Sequence, residues 1–481
     1  MKKLYRFSAI ALLVLPLVFT SCSDYLDRDD DDNITEADVF ARYEKVNGLV
    51  SDVYAAAKKA DRPLVFFEHF SNSAITDECE GTNVEGNITN NFNNGAWNPN
   101  SLPGSVGQYW EALYEGIRKA NLIIENVQKY NTPDNPQQDG DLRNRIGEMY
   151  FMRGYFHMLL LRMYGEAPYI DRVINAGDNM DFKKESVHSM VEKIVTDAQT
   201  AYGMVPNKYV KTSENFGRVD KGACLGLISF VRWVAATPLW NGASQYGYNL
   251  RRVFENEYAY DATRWRKAKE AAKAVLDFEV GGTKRYSLYT KHDANDFKDP
   301  ADGNLNDSRV YARLWDMFYD MDAFANEYVF FMTKSKDQAW QGDIYPPSRE
   351  GSSRQQPVQE QVDEYEYIVG DYGYPVYSAE ARKGGYDDTN PYVKGTRDPR
   401  FYRDVIYHGA PYRNNKNESK TINTASGSDK IGATNATTTG YYLRKFQQES
   451  WNKSGNFSIN APAIWRLPEF IYIYAEACNE L

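Results

Sequence analysis

Apolar side chains recur every three to four residues over long stretches of this chain, and that period commits much of it to amphipathic α-helix. Over 109–130 the stripe is Trp110, Leu113, Ile117, Ile124 and Val127. Over 141–164 it is Leu142, Ile146, Met149, Phe156, Leu160 and Met163, with Gly165 at the stop. A short polar linker joins the two, which predicts a helical hairpin. A third helix is predicted over 186–202, ended by Gly203 and Pro206, and a fourth over 219–236, ended before Pro238. In the fourth, Gly222, Ala223 and Gly226 thin one face so that a neighbouring helix can approach closely. A fifth starts after Asp261 as N-cap and carries Trp265, Ala268, Ala272 and Val275 to the Gly281-Gly282 break. An earlier helix is predicted over 36–60, and the chain ends inside another from 467 onward. Paired helices with Trp, Tyr and small residues on their packing faces predict a mainly α, tetratricopeptide-like superhelix, degenerate because the spacing between pairs is irregular.

Two segments lack this period. Residues 71–104 are rich in Asn, Gly and Thr, and 335–462 alternate Tyr, Gly, Asp, Asn and Pro with few apolar runs. Loops that long inside a folded body are usually functional or disordered, and the aromatic content argues for order. The chain therefore reads as a single body over 36–481. Its helical scaffold covers about 36–70, 105–280 and 465–481, and its loop-rich regions about 71–104 and 285–464.

Ahead of that body, Lys2, Lys3 and Arg6 precede an uncharged apolar run from 7 to 19, followed by Thr20, Ser21 and Cys22. The run is well short of the roughly 20 residues a membrane-spanning helix needs, and Pro16 interrupts it, so 1–21 reads as a secretory signal. Small residues followed at once by Cys resemble the lipobox of a bacterial lipoprotein, although Phe19 stands where Leu is commoner. On that reading Cys22 is the lipidated amino terminus and 22–35, with Asp24, Asp27 and Asp29 to Asp32, is an acidic tether. The alternative is an ordinary thiol after a standard cleavage site. Several acyl chains on one residue hold a protein stably on a membrane, where one chain would not.

Removing 1–21 moves the formal charge from -10 to -13. So acidic a body is a poor partner for nucleic acid or anionic lipid. The other cysteines, Cys79, Cys224 and Cys478, are too few and too far apart for a disulfide framework or a zinc site. The chain carries 37 Tyr, a composition suited to contact with neutral polar ligands, although Tyr also packs helices.

Seven segments, in this order, carry a resemblance to the SusD-like (RagB/SusD) family of outer-membrane lipoproteins. They are DYLDR with DVF at Asp38 to Phe40, YWEALYEGIRKAN from Tyr109, MRGYFHMLLLRMYGEAPY from Met152, GRVDKGACLGLI from Gly217, RWRKAKEAAKAVLDF from Arg264, DPRF from Asp398 and RLPEFIYIYAEACNE from Arg466. No one of them is decisive, but their order and spacing together are specific. Family members continue past the last segment, so the chain is expected to be truncated at Leu481. The resemblance implies a helical superhelix supporting an irregular ligand-binding region and a cell-surface location at the outer membrane. It also implies a SusC-like TonB-dependent transporter as partner, with this protein as its lid, and an oligosaccharide ligand held without being cut.

A sugar presents apolar C–H faces and a polar rim, so its site needs flat aromatics together with amides or carboxylates. Trp110, Trp233, Trp265 and Trp465 lie at core spacing and read as packing. Trp97, Trp240, Trp315, Trp340 and Trp451 lie in or beside loops. Because relatives place stacking aromatics after the fifth helix block, Trp340 and Tyr345 are the favoured ligand contacts, with Trp315 beside them. The first insertion would add Asp77, Glu78, Asn83 or Trp97. The competing reading of Trp97 is a hydrophobic plug under the Asn-rich loop.

His69, His157, His188, His292 and His408 sit apart with no HExxH and no metal-ligand pair, and His157 reads as a packed residue. The acidic run 27–38 has Asp32 where a calcium loop needs Gly. A GxxxxGK[ST] phosphate loop is absent from the sequence. The expectation is therefore a binding protein with no catalytic residue, no metal and no cofactor. The alternatives are a lid or scaffold handling non-sugar cargo such as peptides, and a glycoside hydrolase, whose carboxylate pair is a matter of spatial separation that sequence does not encode.

Overall fold

The computed structural model describes residues 35–60, 71–82, 88–96, 98, 104–130, 136–209, 215–242, 254–290, 317–318, 320–332, 342–393, 395–413, 419–447 and 463–481. The helical scaffold begins with α1 (Glu36–Phe40) and α2 (Tyr43–Ala60), two helices where the sequence predicts one. Thr35 caps α1 in a reciprocal box with Asp38. Then follow α3 (Gly104–Tyr130), α4 (Pro136–Tyr164), α5 (Val187–Met204), α6 (Lys221–Ala236), α7 (Ala262–Leu276) and α8 (Leu467–Asn479). Consecutive members of this series pack on one another, α8 closing onto α7 across nearly two hundred residues of intervening chain. Fold class is as expected: mainly α, with a stacked helical scaffold.

Side chains at the termini set where these helices start. Ser186, Asp220 and Asp261 each accept a backbone N–H from the first turn of α5, α6 and α7. Helix α7 stops at Leu276, earlier than the glycine pair suggests. Gly281 and Gly282, both at positive φ, instead turn a two-residue hairpin between Glu279–Val280 and Thr283–Lys284. Close approach rests on absent side chains. A Cβ on Gly116 of α3 would lie 2.5 Å from the Phe156 ring of α4. The thin face of α6 receives more than a helix: a Cβ on Gly226 would meet Val329, Phe470 and Trp465, and one on Gly222 would meet Tyr286.

One large core joins all the scaffold helices except α7's outer face, with Phe151, Phe156, Tyr155, Leu113 and Phe470 fully buried in it. Into it run the two strands β3 (Tyr328–Phe331) and β9 (Ala463–Arg466), paired antiparallel, so that Phe330 and Trp465 pack edge-on against Phe151 and Tyr155. Trp265 and Trp465 are buried and Trp110 and Trp233 half-buried, as core spacing predicts.

Buried charge in the scaffold is paired. Arg153 reaches both carboxylate oxygens of Asp197 at 2.7 and 2.5 Å, and its third nitrogen donates to Asn121 and to the Asp171 carbonyl. Tyr169 donates to the same carboxylate, and burial followed by that carboxylate pushes its hydroxyl well above the ordinary value. His157 stacks on Tyr169, shares Nδ1 with the Arg153 carbonyl and accepts the Ile170 N–H at Nε2. That arrangement makes it a neutral, packed histidine, and burial holds its pKa down at about 3. A second network ties Glu148 to Arg145, Arg218, Tyr54 and Tyr209.

The loop-rich region is less irregular than its composition implies. Strand β1 (Ile75–Thr76) and β2 (Cys79–Gly81) from the first insertion pair with β4 (Gln355–Pro357) from the second, in the order β1-β2-β4. Farther along lie a tyrosine hairpin, β5 (Tyr367–Val369) and β6 (Tyr372–Tyr374), and the pair β7 (Val405–Ile406) and β8 (Tyr442–Leu443). Small cores of their own hold these segments, one around Ile344, Tyr345, Tyr412 and Tyr442 and another around Val362, Phe401 and Tyr441.

Candidate functional site

The three-stranded sheet matters because it brings together two insertions that lie far apart in sequence. Gln355 accepts both the N–H and the hydroxyl of Ser71, and Thr82 donates to the Ser353 carbonyl, so the seam is stitched on both sides of β4. Where this seam meets the start of α8, a cavity of about 700 Å³ opens to solvent. Its first wall is Ser71, Ser73, Glu78 and Cys79. Its second is Gln355, Gln361, Glu364, Tyr365, Arg400, Arg403, Asp404, Lys445 and Phe446. Its third is Tyr289 and Glu327, ahead of β3, with Arg466 of β9 and Tyr472 of α8.

Each wall is held from behind. Arg397, fully buried, donates to the carbonyls of Tyr365 and Val362 and so fixes the segment that carries Glu364 and Tyr365. Asp404 accepts two bonds from Arg403 and one at 2.9 Å from the Tyr365 hydroxyl. Its backbone carbonyl takes the N–H groups of Arg444 and Lys445, which sets Lys445 at the end of β8. On the scaffold side Arg466 donates to Glu327 at 3.0 Å, and Glu327 also accepts the Tyr289 N–H. Tyr472 stands at the rim with 69 % of its surface exposed.

Chemically this is a mixed surface. Aromatic surface of Tyr365, Phe446 and Tyr472 alternates with amides, carboxylates and guanidinium groups, which suits a ligand with apolar faces and a hydroxyl rim. The Cys79 thiol, pushed up to about 12 by burial and then by Glu78, is no nucleophile. Among the described residues no group of three or more His, Cys, Asp or Glu is placed to hold a metal ion. Among them, too, no helix is long and apolar enough to cross a membrane.

Of the residues singled out in the sequence, Glu78 lines the cavity, where it accepts from the Ser73 hydroxyl. Asp77 is exposed at the β1–β2 turn and is not part of the wall. Tyr345 requires a correction: it is 2 % exposed, packed edge-on against Tyr412 in a separate small core, and offers no face to a ligand. An Ile-Tyr-Pro-Pro run reads as a loop, but Ile344 and Tyr345 are the apolar filling beneath it. Cys22, Asn83, Trp97, Trp315 and Trp340 lie outside the described residues. The residues that sequence reasoning missed are Tyr365, Arg403, Asp404, Lys445 and Tyr472. Only Tyr472 left a signal. It falls off the α8 stripe of Leu467, Phe470, Ile473 and Ala477, so a large aromatic there had to face outward.

Two families match the chain. One, described as starch-binding and associating with the outer membrane, matches residues 24–231, and the SusD family matches residues 321–481. A curated relative, SusD-like protein P2 of Formosa agariphila, is 24% identical over 202 residues, 41% of this chain and 38% of that protein. The matched stretch thus spans little more than a third of that relative. Among solved structures, a SusD-like protein of Bacteroides fragilis superposes with a TM-score of 0.69 at 18% identity, covering 91% of this chain and 75% of that one. A SusD-like carbohydrate-binding protein from the same species gives 0.67 at 14% identity over 92% and 75%. A laminarin-binding SusD-like protein gives 0.54 at 16% identity over 90% and 80%.

Proposed function

The chain belongs to the SusD-like family, and from that premise we propose that it captures glycan at the cell surface without cutting it and passes it to an outer-membrane transporter. The observation that carries this reading is the cavity at the junction of the two insertions and α8, where aromatic faces and hydrogen-bonding groups share one wall. Covering one sugar face with one ring is worth roughly 1–2 kcal/mol by area. Two or three such contacts, less the entropy of binding, give dissociation constants on the order of millimolar to micromolar. Weak capture suits a relay. The names of the carbohydrate-binding and laminarin-binding relatives lend support to glycan as the cargo class.

On this reading the amino-terminal segment 1–21 is removed, Cys22 is lipidated, 22–35 is a tether, and the body sits as a lid on a SusC-like TonB-dependent barrel. Trp340, Trp315, Trp97 and Asn83 would extend the binding surface. Isothermal titration of the protein against a panel of plant, host and microbial polysaccharides, with a parallel assay for new reducing ends, tests the central claim. Saturable binding without new ends is expected. New reducing ends would replace capture by hydrolysis, and silence across the panel would leave a lid for other cargo. Loss of radiolabelled palmitate from a Cys22→Ala variant would test the anchor.

A further inference from the structure

Three cations that line the cavity converge on one pair of touching aromatic rings, of which Phe446 also lines it. Phe318 and Phe446 meet edge-on with centroids 4.4 Å apart. The guanidinium groups of Arg403 and Arg466 lie 5.4 and 5.6 Å from the Phe318 centroid, and the Lys445 ammonium lies 5.2 Å from that of Phe446. Two of the three are already neutralised, Arg403 by Asp404 and Arg466 by Glu327. Lys445 is different: among the described residues no carboxylate comes within ion-pair distance of its nitrogen, although the residue is half-buried and lines the cavity. The nearby Asp404 carboxylate is taken up by Arg403 and Tyr365, and that of Glu327 by Arg466 and the Tyr289 N–H. Phe446 itself has φ +66°, a left-handed conformation that a bulky residue rarely adopts, so the turn that presents Lys445 is held against its backbone preference.

A half-buried ammonium with no carboxylate in direct ion-pair contact among the described residues is only partly compensated in the free protein and is relieved by an anion brought in by a ligand. We propose that the glycan taken by this site is acidic, with a sugar-borne carboxylate or sulfate ester pairing with Lys445 and the Arg403 and Arg466 guanidinium edges beside it. The proposal rests on the glycan-capture reading and narrows it. Glu78 and Glu364, also in the wall, are exposed at its edge, where water weakens their repulsion and leaves them to accept sugar hydroxyls. The negative charge of the whole body acts weakly for the same reason, since exposed charges beyond about 8 Å are screened at physiological salt.

The full-length protein and its Lys445→Gln and Lys445→Arg variants would be titrated with polygalacturonate, dextran sulfate and uncharged dextran, with thermal melts to confirm folding. Expected is at least ~10-fold weaker binding of the acidic polymer by Lys445→Gln, recovery by Lys445→Arg, and loss of wild-type affinity as salt rises. Which acidic polymer binds separates carboxylate from sulfate. Binding of neutral polymers as tight as that of acidic ones, or insensitive to Lys445→Gln, would overturn the proposal and leave glycan capture standing. Failure of both acidic polymers and of the neutral panel would overturn the two together.

Discussion

Replacing Asp197 with Ala should damage this protein more than almost any other single change in the scaffold. Asp197 is 5 % exposed and holds Arg153, itself 8 % exposed, by two parallel hydrogen bonds. Removing the carboxylate strands a guanidinium between α4 and α5. The Asn121 and Asp171 oxygens satisfy one of its nitrogens but bring no compensating charge. Breaking a buried pair from one side costs about 3–5 kcal/mol, and the Tyr169 hydroxyl loses its acceptor as well, at roughly 1–3 kcal/mol more, not fully additive. A loss of about 4 kcal/mol is expected. Domains of 150–250 residues drop roughly 2–4 °C per kcal/mol, and a larger body less, so the melting temperature should fall by something on the order of 5–10 °C. Differential scanning calorimetry would read the shift and urea unfolding the free energy. The double change Arg153→Met with Asp197→Leu should recover only part of the loss: no charge is then left buried, but the Tyr169 hydroxyl and the Asn121 and Asp171 oxygens lose their partners. A single-variant loss below about 1 kcal/mol would refute the reasoning, since it would mean that water reaches the Arg153 site.

Other perturbations follow from the same structure. His157 is neutral in the fold with a pKa of about 3, against 6.5 when exposed, so the unfolded chain binds the extra proton first as pH falls. Its contribution is complete above 6.5 and declines toward 3, by about 2 kcal/mol at pH 5; a His157→Gln variant should show a shallower acid loss of melting temperature than wild type, and equal slopes would contradict this. Gly226→Val would drive methyl groups into Val329, Phe470 and Trp465, costing about 1–3 kcal/mol in chemical denaturation, and an unchanged midpoint would mean that β3 and β9 yield freely. Tyr472→Ala and Tyr345→Ala should part company. The first should weaken glycan retention in affinity electrophoresis by roughly 5–30-fold with the melting point unmoved. The second should lower stability by about 3–5 kcal/mol, as loss of a buried aromatic does.

Some of this protein was legible in its sequence because the physics is local. A period of 3.6 with Ser, Asp or Thr at the start fixes a helix and the face it buries. The helices around Leu113, Phe156, Ile194, Leu227 and Trp265 could therefore be located to within a few residues, and His157 could be read as a packed residue. Tertiary structure decided the site, because its walls come from chain segments with no local relation to one another. Nothing near Cys79 announces Pro357 as its strand partner, and nothing near Lys445 announces Arg466 across the Phe318–Phe446 pair. The same long-range pairing separates two tyrosines that composition treats alike. Tyr345 sits over a nascent core and is swallowed by Tyr412 and Tyr442, whereas Tyr472 lies on the outward face of a helix whose other side is committed to packing. Burial is a property of what arrives from elsewhere in the chain, and only the folded arrangement specifies it.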